Sequence, residues 1–179
     1  GNTEQKAYID SKLDEIEKLY PKHVFGYNNE KLESVLGQLL INENLTVGTV
    51  ESCTAGSLAS KLVSVPGSSN YFKGSILSYA NELKVNVVGV DKDTIKKFGA
   101  VSQQVVEQMA SNGVAKLNVD YCISTSGIAG PDGGTIEKTV GTIWVGIAGK
   151  DKVWSLSLIH ISEPTRPLYI SYAVFCLKK

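Results

Sequence analysis

Two side chains and one loop in this sequence have the types and spacing to do chemistry: Ser52, Lys84 and the run GIAGPDGG from Gly127 to Gly134. A serine hydroxyl attacks a carbonyl carbon once a base removes its proton. A lysine desolvated in a cleft has the lowered proton affinity that suits it to that task. Four glycines in eight residues let the main chain approach a ligand closely and offer N–H donors to an oxyanion or phosphate. The loop has neither the GKS or GKT ending of a nucleotide-triphosphate loop nor a GxGxxG run ahead of a helix. The two histidines, His23 and His160, fall in the least regular segments, so serine chemistry here must use Lys or Tyr instead of a Ser-His-Asp arrangement.

Each feature also has a plainer reading. A serine just before a helix is ordinarily an N-cap, a lysine on a first helical turn is ordinarily solvated, and glycine-rich runs are common connectors. Cys53, next to Ser52, reads as a small buried side chain rather than a thiol nucleophile, because neither histidine is near it in the sequence.

The elements that carry these residues favour the chemical reading. TVGTVE, from Thr46 to Glu51, is short and rich in β-branched residues and predicts a buried strand. Leu58, Leu62 and Val63 predict a helix from Ala55 onward. Ser52 thus sits at the carboxyl end of a strand, beside the free N–H groups of a helix start, and the N–H groups of Thr54, Ala55 and Gly56 are the expected oxyanion donors. A strand over Gly74–Ala80 runs into a helix that starts at Asn81 and ends near Gly89. Tyr79, Asn81 and Lys84 therefore straddle that junction, with Asn81 and Lys84 on one helical face. A short helix is predicted over Asp93–Phe98. Ser102 then caps a longer one striped with Val105, Val106, Met109, Ala110, Val114 and Leu117. A strand from Asp120 to Ser126 leads into the glycine loop, and VGTIWVGIA and KVWSLSLI read as an antiparallel pair around Gly149–Asp151.

Ahead of these, Ile9, Leu13, Ile16 and Tyr20 stripe an amphipathic helix over Thr3–Leu19, stopped by Pro21, and a second helix carries Leu32, Val35, Leu36, Leu39 and Leu40. Strands alternating with helices predict an α/β fold, a layered sandwich with a mixed sheet flanked by helices. Ligands collect at the carboxyl ends of strands in such sheets, so the loops at Ser52, Asn81 and Gly127 are expected to meet at one edge.

The chain of 179 residues is sized for one domain with an extra segment. Eighteen basic residues balance eighteen acidic ones, so bulk charge gives no case for a nucleic-acid partner or an anionic membrane. No apolar run reaches the roughly eighteen residues that span a bilayer, and no leader is legible at Gly1. Cys53, Cys122 and Cys176 are odd in number and lack metal-site spacing, which fits reduced thiols in a cytoplasm and no metal.

ESCTAG, PGSSNYF, SYANELK, GVDKDTIKKFGAVS and SGIAGPDGGTIEKTVGTIWV stand in an order and spacing that resemble the carboxy-terminal domain of the CinA family, over residues 28–158. Residues 1–27 are an amino-terminal helix and linker segment, in which Glu4 to Gly26 resembles the stretch ahead of that domain in two-domain members. The resemblance implies deamidation of nicotinamide mononucleotide to nicotinate mononucleotide and ammonia, without metal or cofactor, in a homodimer whose partner is a small nucleotide substrate. It implies Ser52 as nucleophile, with Tyr79 and Lys84 to activate the hydroxyl and protonate the departing ammonia. Substrate would be bound by Thr54, Ala55, Gly56, Asn81, Ser126, Gly127, Gly130, Gly133 and Gly134. Ser68, Ser69 and Tyr71 belong to a shared motif to which no individual role attaches.

From Ile159 the pattern departs. The family continues with an arginine-bearing GDR-like motif and a final amphipathic helix, whereas this chain reads IHISEPTRPLYISYAVFCLKK. Pro164 and Pro167 forbid a regular helix there, ISYAVF is strand-like, and Arg166 is the one arginine among the eighteen basic residues. That atypical tail, residues 159–179, motivates a rival expectation: a nucleotide-binding module without turnover. A role in DNA uptake or repair, as the family name suggests, is a third, against which the neutral charge and the lack of a basic stripe argue.

Overall fold

Five short segments rich in β-branched and apolar residues form one sheet: β1 (Val47–Glu51), β2 (Phe72–Leu77), β3 (Tyr121–Gly127), β4 (Ile143–Ala148) and β5 (Val153–Ser157). The coordinates are a computed structural model that describes residues 2–20 and 23–158. Arg166 and the strand-like run 170–175 lie outside the described residues. The strand order is β2-β1-β3-β4-β5. β1 pairs in parallel with both β2 and β3, whereas β4 and β5 continue the sheet antiparallel, so the expected mixed α/β sheet is present. Because β2, β1 and β3 run the same way, their carboxyl ends share one edge.

Helices cover both faces. α1 is Thr3–Leu19, α2 Leu32–Asn42, α3 Ser57–Val63, α4 Asn81–Leu83, α5 Lys92–Phe98 and α6 Gln103–Leu117. Leu36 and Leu40 of α2 and Leu58 and Leu62 of α3 pack with Val47, Ile123, Val145 and Ile147 in one apolar cluster. A second cluster joins Val105 and Met109 of α6 to Val50 and Cys122. The alternation of Val47 and Val50 between the clusters is the period of two of a strand buried on both faces. α6 sits close to the sheet because Gly113 has no side chain: a Cβ there would meet Cys122 Sγ and lie 2.7 Å from Val50 Cγ2.

Several boundaries differ from the sequence expectation. α3 opens at Ser57, not Ala55, because Ala55 (φ +49°) and Gly56 (φ +89°) both take left-handed conformations that a helix excludes. β2 ends at Leu77, and Ser78 and Tyr79 leave the sheet. α4 widens at Lys84 into a π turn over Lys84–Val88. Ser102 stands at the start of α6, but its hydroxyl donates to Ala-preceding Gly99 O at 2.8 Å instead of capping the helix, since the GAVS turn offers that carbonyl first. α1 forms as expected and buries none of its residues.

Candidate active site

β1 delivers Glu51 fully buried and then turns sharply. Ser52 N–H donates to Thr125 O of β3 at 3.1 Å, and Ala55 N–H donates back to Ser52 O at 3.2 Å. This tight turn, with two left-handed residues, holds Ser52 at the carboxyl edge with 7% of its surface exposed.

On the neighbouring strand, Ser78 N–H donates to Glu51 O at 2.8 Å, which fixes the end of β2 beside Ser52. Lys84, 1% exposed, returns from the π turn beneath this junction. Its Nζ lies 2.8 Å from Ser78 O, 3.0 Å from Tyr79 O and 3.0 Å from Ser52 Oγ. Burial holds the amine below the ordinary lysine pKa, only partly opposed by the Cys53 sulfur. The three partners suit both protonation states. As an ammonium Lys84 donates to all three. As a neutral amine it keeps its two N–H groups on the carbonyls and turns its lone pair to the serine hydroxyl, which is the arrangement of a general base.

Cys53 flanks this pair. Burial pushes its thiol up to about 11, so it stays protonated near neutrality and is a poor nucleophile beside Ser52. Gly127 opens the glycine loop against it, since a Cβ on Gly127 would stand 3.0 Å from Cys53 Sγ. The junctions at Ser52, Lys84 and Gly127 therefore meet at one edge.

Other expected residues fall differently. Tyr79 brings its main-chain carbonyl to Lys84 while the residue is 71% exposed. Asn81 is exposed on the first turn of α4, whereas Lys84 is buried, so the two do not share a buried face. Ser126 is buried and its hydroxyl donates to Ala100 O at 2.9 Å. Gly130 and Gly133 have φ of +83° and +91°, and Gly134 lies against Val140: the loop folds on its own second half. Of the expected oxyanion donors, the Ala55 N–H closes the turn and the Gly56 N–H donates to Glu51 Oε2 at 3.0 Å. Among the described residues no backbone carbonyl accepts from the N–H groups of Cys53 or Thr54, and the Cys53 N–H lies against its own sulfur. Thr54 Oγ1 instead lies 2.6 Å from Glu51 Oε2 and 2.8 Å from Thr125 Oγ1.

Glu51 is the residue that sequence reasoning missed. Besides Thr54 and Gly56, its carboxylate accepts from Leu58 N at 3.1 Å and Ala59 N at 2.8 Å, so the free N–H groups expected at the helix start are occupied by a protein carboxylate. The signal was available: an acidic residue closing a buried strand immediately before a helix needs several donors, and the helix start is their nearest source.

An apolar cavity of about 640 Å³ opens elsewhere, lined by Leu36, Leu40, Val47, Tyr121, Ile147 and Trp154 among others. Val47 and Tyr121 begin their strands and Ser52 follows the end of β1, so this cavity lies toward the opposite end of the sheet.

The family model for the CinA C-terminal domain matches residues 29–174. The chain belongs to the CinA family. It is 46% identical over 149 residues to a CinA-like protein of Prochlorococcus marinus strain MIT 9215, covering 83% of this chain and 35% of that protein. A CinA-like protein of Cytophaga hutchinsonii is 44% identical over 158 residues, 88% of this chain and 38% of its own length. The chain thus spans little more than a third of the curated relatives it matches. Among solved structures, a competence/damage inducible protein from Agrobacterium tumefaciens superposes with a TM-score of 0.66 at 31% identity, over 74% of this chain and 83% of that one. A competence damage-inducible protein from Klebsiella pneumoniae gives 0.71 at 26% identity, over 82% and 87%.

Proposed function

We propose that this CinA-family chain is a serine-type amidohydrolase that converts nicotinamide mononucleotide to nicotinate mononucleotide and ammonia. The observation that carries the reading is the 3.0 Å approach of buried Lys84 Nζ to Ser52 Oγ. The substrate itself comes from the family resemblance.

Lys84, deprotonated, takes the Ser52 proton as Oγ bonds to the carboxamide carbon. The oxyanion that develops turns to the N–H groups of Cys53 and Thr54, since those of Ala55 and Gly56 are engaged. Collapse breaks the C–N bond, and Lys84 returns its proton to the nitrogen, which leaves as ammonia. A water molecule then gives a proton to Lys84 and its oxygen to the acyl carbon; as the ester bond to Ser52 breaks, Lys84 returns that proton to Oγ, and the acid product loses its own proton to solvent and departs as the carboxylate. The α3 N-terminus is occupied by Glu51, so the glycine loop from Gly127 to Gly134 is the nearer place for the nucleotide phosphate. Free Cys53 and Cys122 fit a reducing compartment such as the cytoplasm, and a homodimer is the assembly we propose.

Ammonia release from nicotinamide mononucleotide by the full chain tests the activity. Ser52→Ala is expected to lose at least about a thousandfold in kcat, the usual scale for a missing nucleophile. Binding of the nucleotide by calorimetry without turnover would replace this reading with that of a binding module.

A further inference from the structure

We propose that Glu51 is a positioning residue for the Ser52 nucleophile, holding both halves of the Ser52–Lys84 pair from one buried point. The inference rests on the serine reading above and extends it to a residue that touches neither the hydroxyl nor the amine.

Five donors converge on the Glu51 carboxylate. Thr49 Oγ1 at 3.1 Å and Ala59 N at 2.8 Å meet Oε1, while Thr54 Oγ1 at 2.6 Å, Gly56 N at 3.0 Å and Leu58 N at 3.1 Å meet Oε2. A carboxylate only accepts, so the Thr54 hydroxyl donates to Glu51 and must in turn accept from Thr125, extending the hold to β3. The side chain therefore closes a ring around Ser52: the strand before it, the turn after it, the helix beyond and the neighbouring strand.

The main chain of the same residue holds the base. Glu51 O accepts from Ser78 N at 2.8 Å, and Ser78 O is the carbonyl 2.8 Å from Lys84 Nζ. An ordinary helix cap would serve α3 from its own N-cap position, but that position is Gly56, which has no side chain. The cap comes instead from five residues upstream, across the nucleophile. The turn it spans includes Ala55 at φ +49°, a conformation that persists only where surrounding contacts over-determine it.

Glu51→Gln tests this. The amide keeps the volume but must turn an NH₂ toward N–H donors that a carboxylate would accept. Ammonia release is measured across substrate concentration for wild type, Glu51→Gln and Ser52→Ala, with circular dichroism as the check on folding. A fluorophosphonate probe reports the intrinsic reactivity of Ser52 by mass spectrometry. Glu51→Gln is expected to fold, to lower kcat by about ten- to a hundredfold as a misplaced nucleophile does, and to leave KM within about threefold. Ser52 labelling should slow in parallel, with Glu51→Asp recovering part of both. Folded Glu51→Gln with wild-type kcat and labelling, or with only KM raised, overturns the inference. Should Glu51→Gln not fold, Thr54→Val removes one of the five donors, and an unchanged kcat there overturns it equally. Ser52→Ala active at the wild-type rate sinks the serine reading and the inference with it. An inactive Ser52→Ala beside an unimpaired Glu51→Gln sinks the inference alone.

Discussion

Lys84 Nζ stands 3.0 Å from Ser52 Oγ, and its other two partners are main-chain carbonyls, so among the described residues the amine is buried without a carboxylate bonded to it. That pairing sets the direction of the pH response. Desolvation lowers the Lys84 pKa, and the base form is the neutral amine. kcat/KM for ammonia release is expected to rise with pH through a single ionisation below the ordinary lysine value and then level off. Lys84→Met should abolish this limb with the activity, and a flat profile in the wild type would remove Lys84 as the base.

The same shift fixes a stability trend. Between the lowered folded pKa and the ordinary value of 10.5 for the unfolded chain, the unfolded state binds more protons at this site, so stability rises with pH across that window. Urea unfolding of wild type and Lys84→Met at neutral pH and near pH 9.5 measures it. The stability of the wild type relative to the variant should increase at the higher pH, and a decrease would reverse the assigned sign.

Tyr79 contributes its carbonyl, not its ring, to the lysine, and the residue is 71% exposed. Tyr79→Phe is therefore expected to change kcat by no more than about twofold, the scale of a surface substitution. A loss of about a hundredfold or more would instead give the phenol a proton-transfer role.

Gly113 lets α6 approach the sheet, since any Cβ would crowd Val50 Cγ2 and Cys122 Sγ. Gly113→Ala should destabilise the fold by about 1–3 kcal/mol in urea titrations, an overpacking cost that outweighs alanine's better helix propensity of about 1 kcal/mol.

Ala55 offers the opposite case. Its left-handed backbone costs an L-residue about 1–2 kcal/mol, whereas glycine's added unfolded-state freedom costs about 0.5–1 kcal/mol. Ala55→Gly should thus leave stability unchanged or raise it by up to about 1.5 kcal/mol, while Ala59→Gly within α3 should lower it by about 0.5–1 kcal/mol. Thermal melts of the two variants give the comparison.

Much of this was legible in the residues. The apolar periods of β1 and α6 located the sheet and its cover, and the junctions at Ser52, Lys84 and Gly127 followed from strands sharing a direction. Glu51 carried a local signal, its place at the end of a buried strand just before a helix, but its full set of donors is not local: they come from residues three to eight positions later and from Thr49 on the same face. Tyr79 is expected at the end of a strand and Asn81 on one helical face with Lys84, but β2 ends at Leu77 and α4 widens at Lys84, so neither period carries across the junction. Ser102 shows the limit of capping rules: its hydroxyl found a carbonyl in the preceding turn instead.

α1 buries no side chain, and a solitary helix of 17 residues in water is marginal by itself. Among the described residues its tie to the rest of the chain is the Tyr27 hydroxyl donating to Glu17 at 2.7 Å, an exposed contact that couples its helicity only weakly to the sheet. On heating, ellipticity from this segment should fade gradually ahead of the cooperative melting of the domain, and ligands that raise the main transition should leave that early slope where it was.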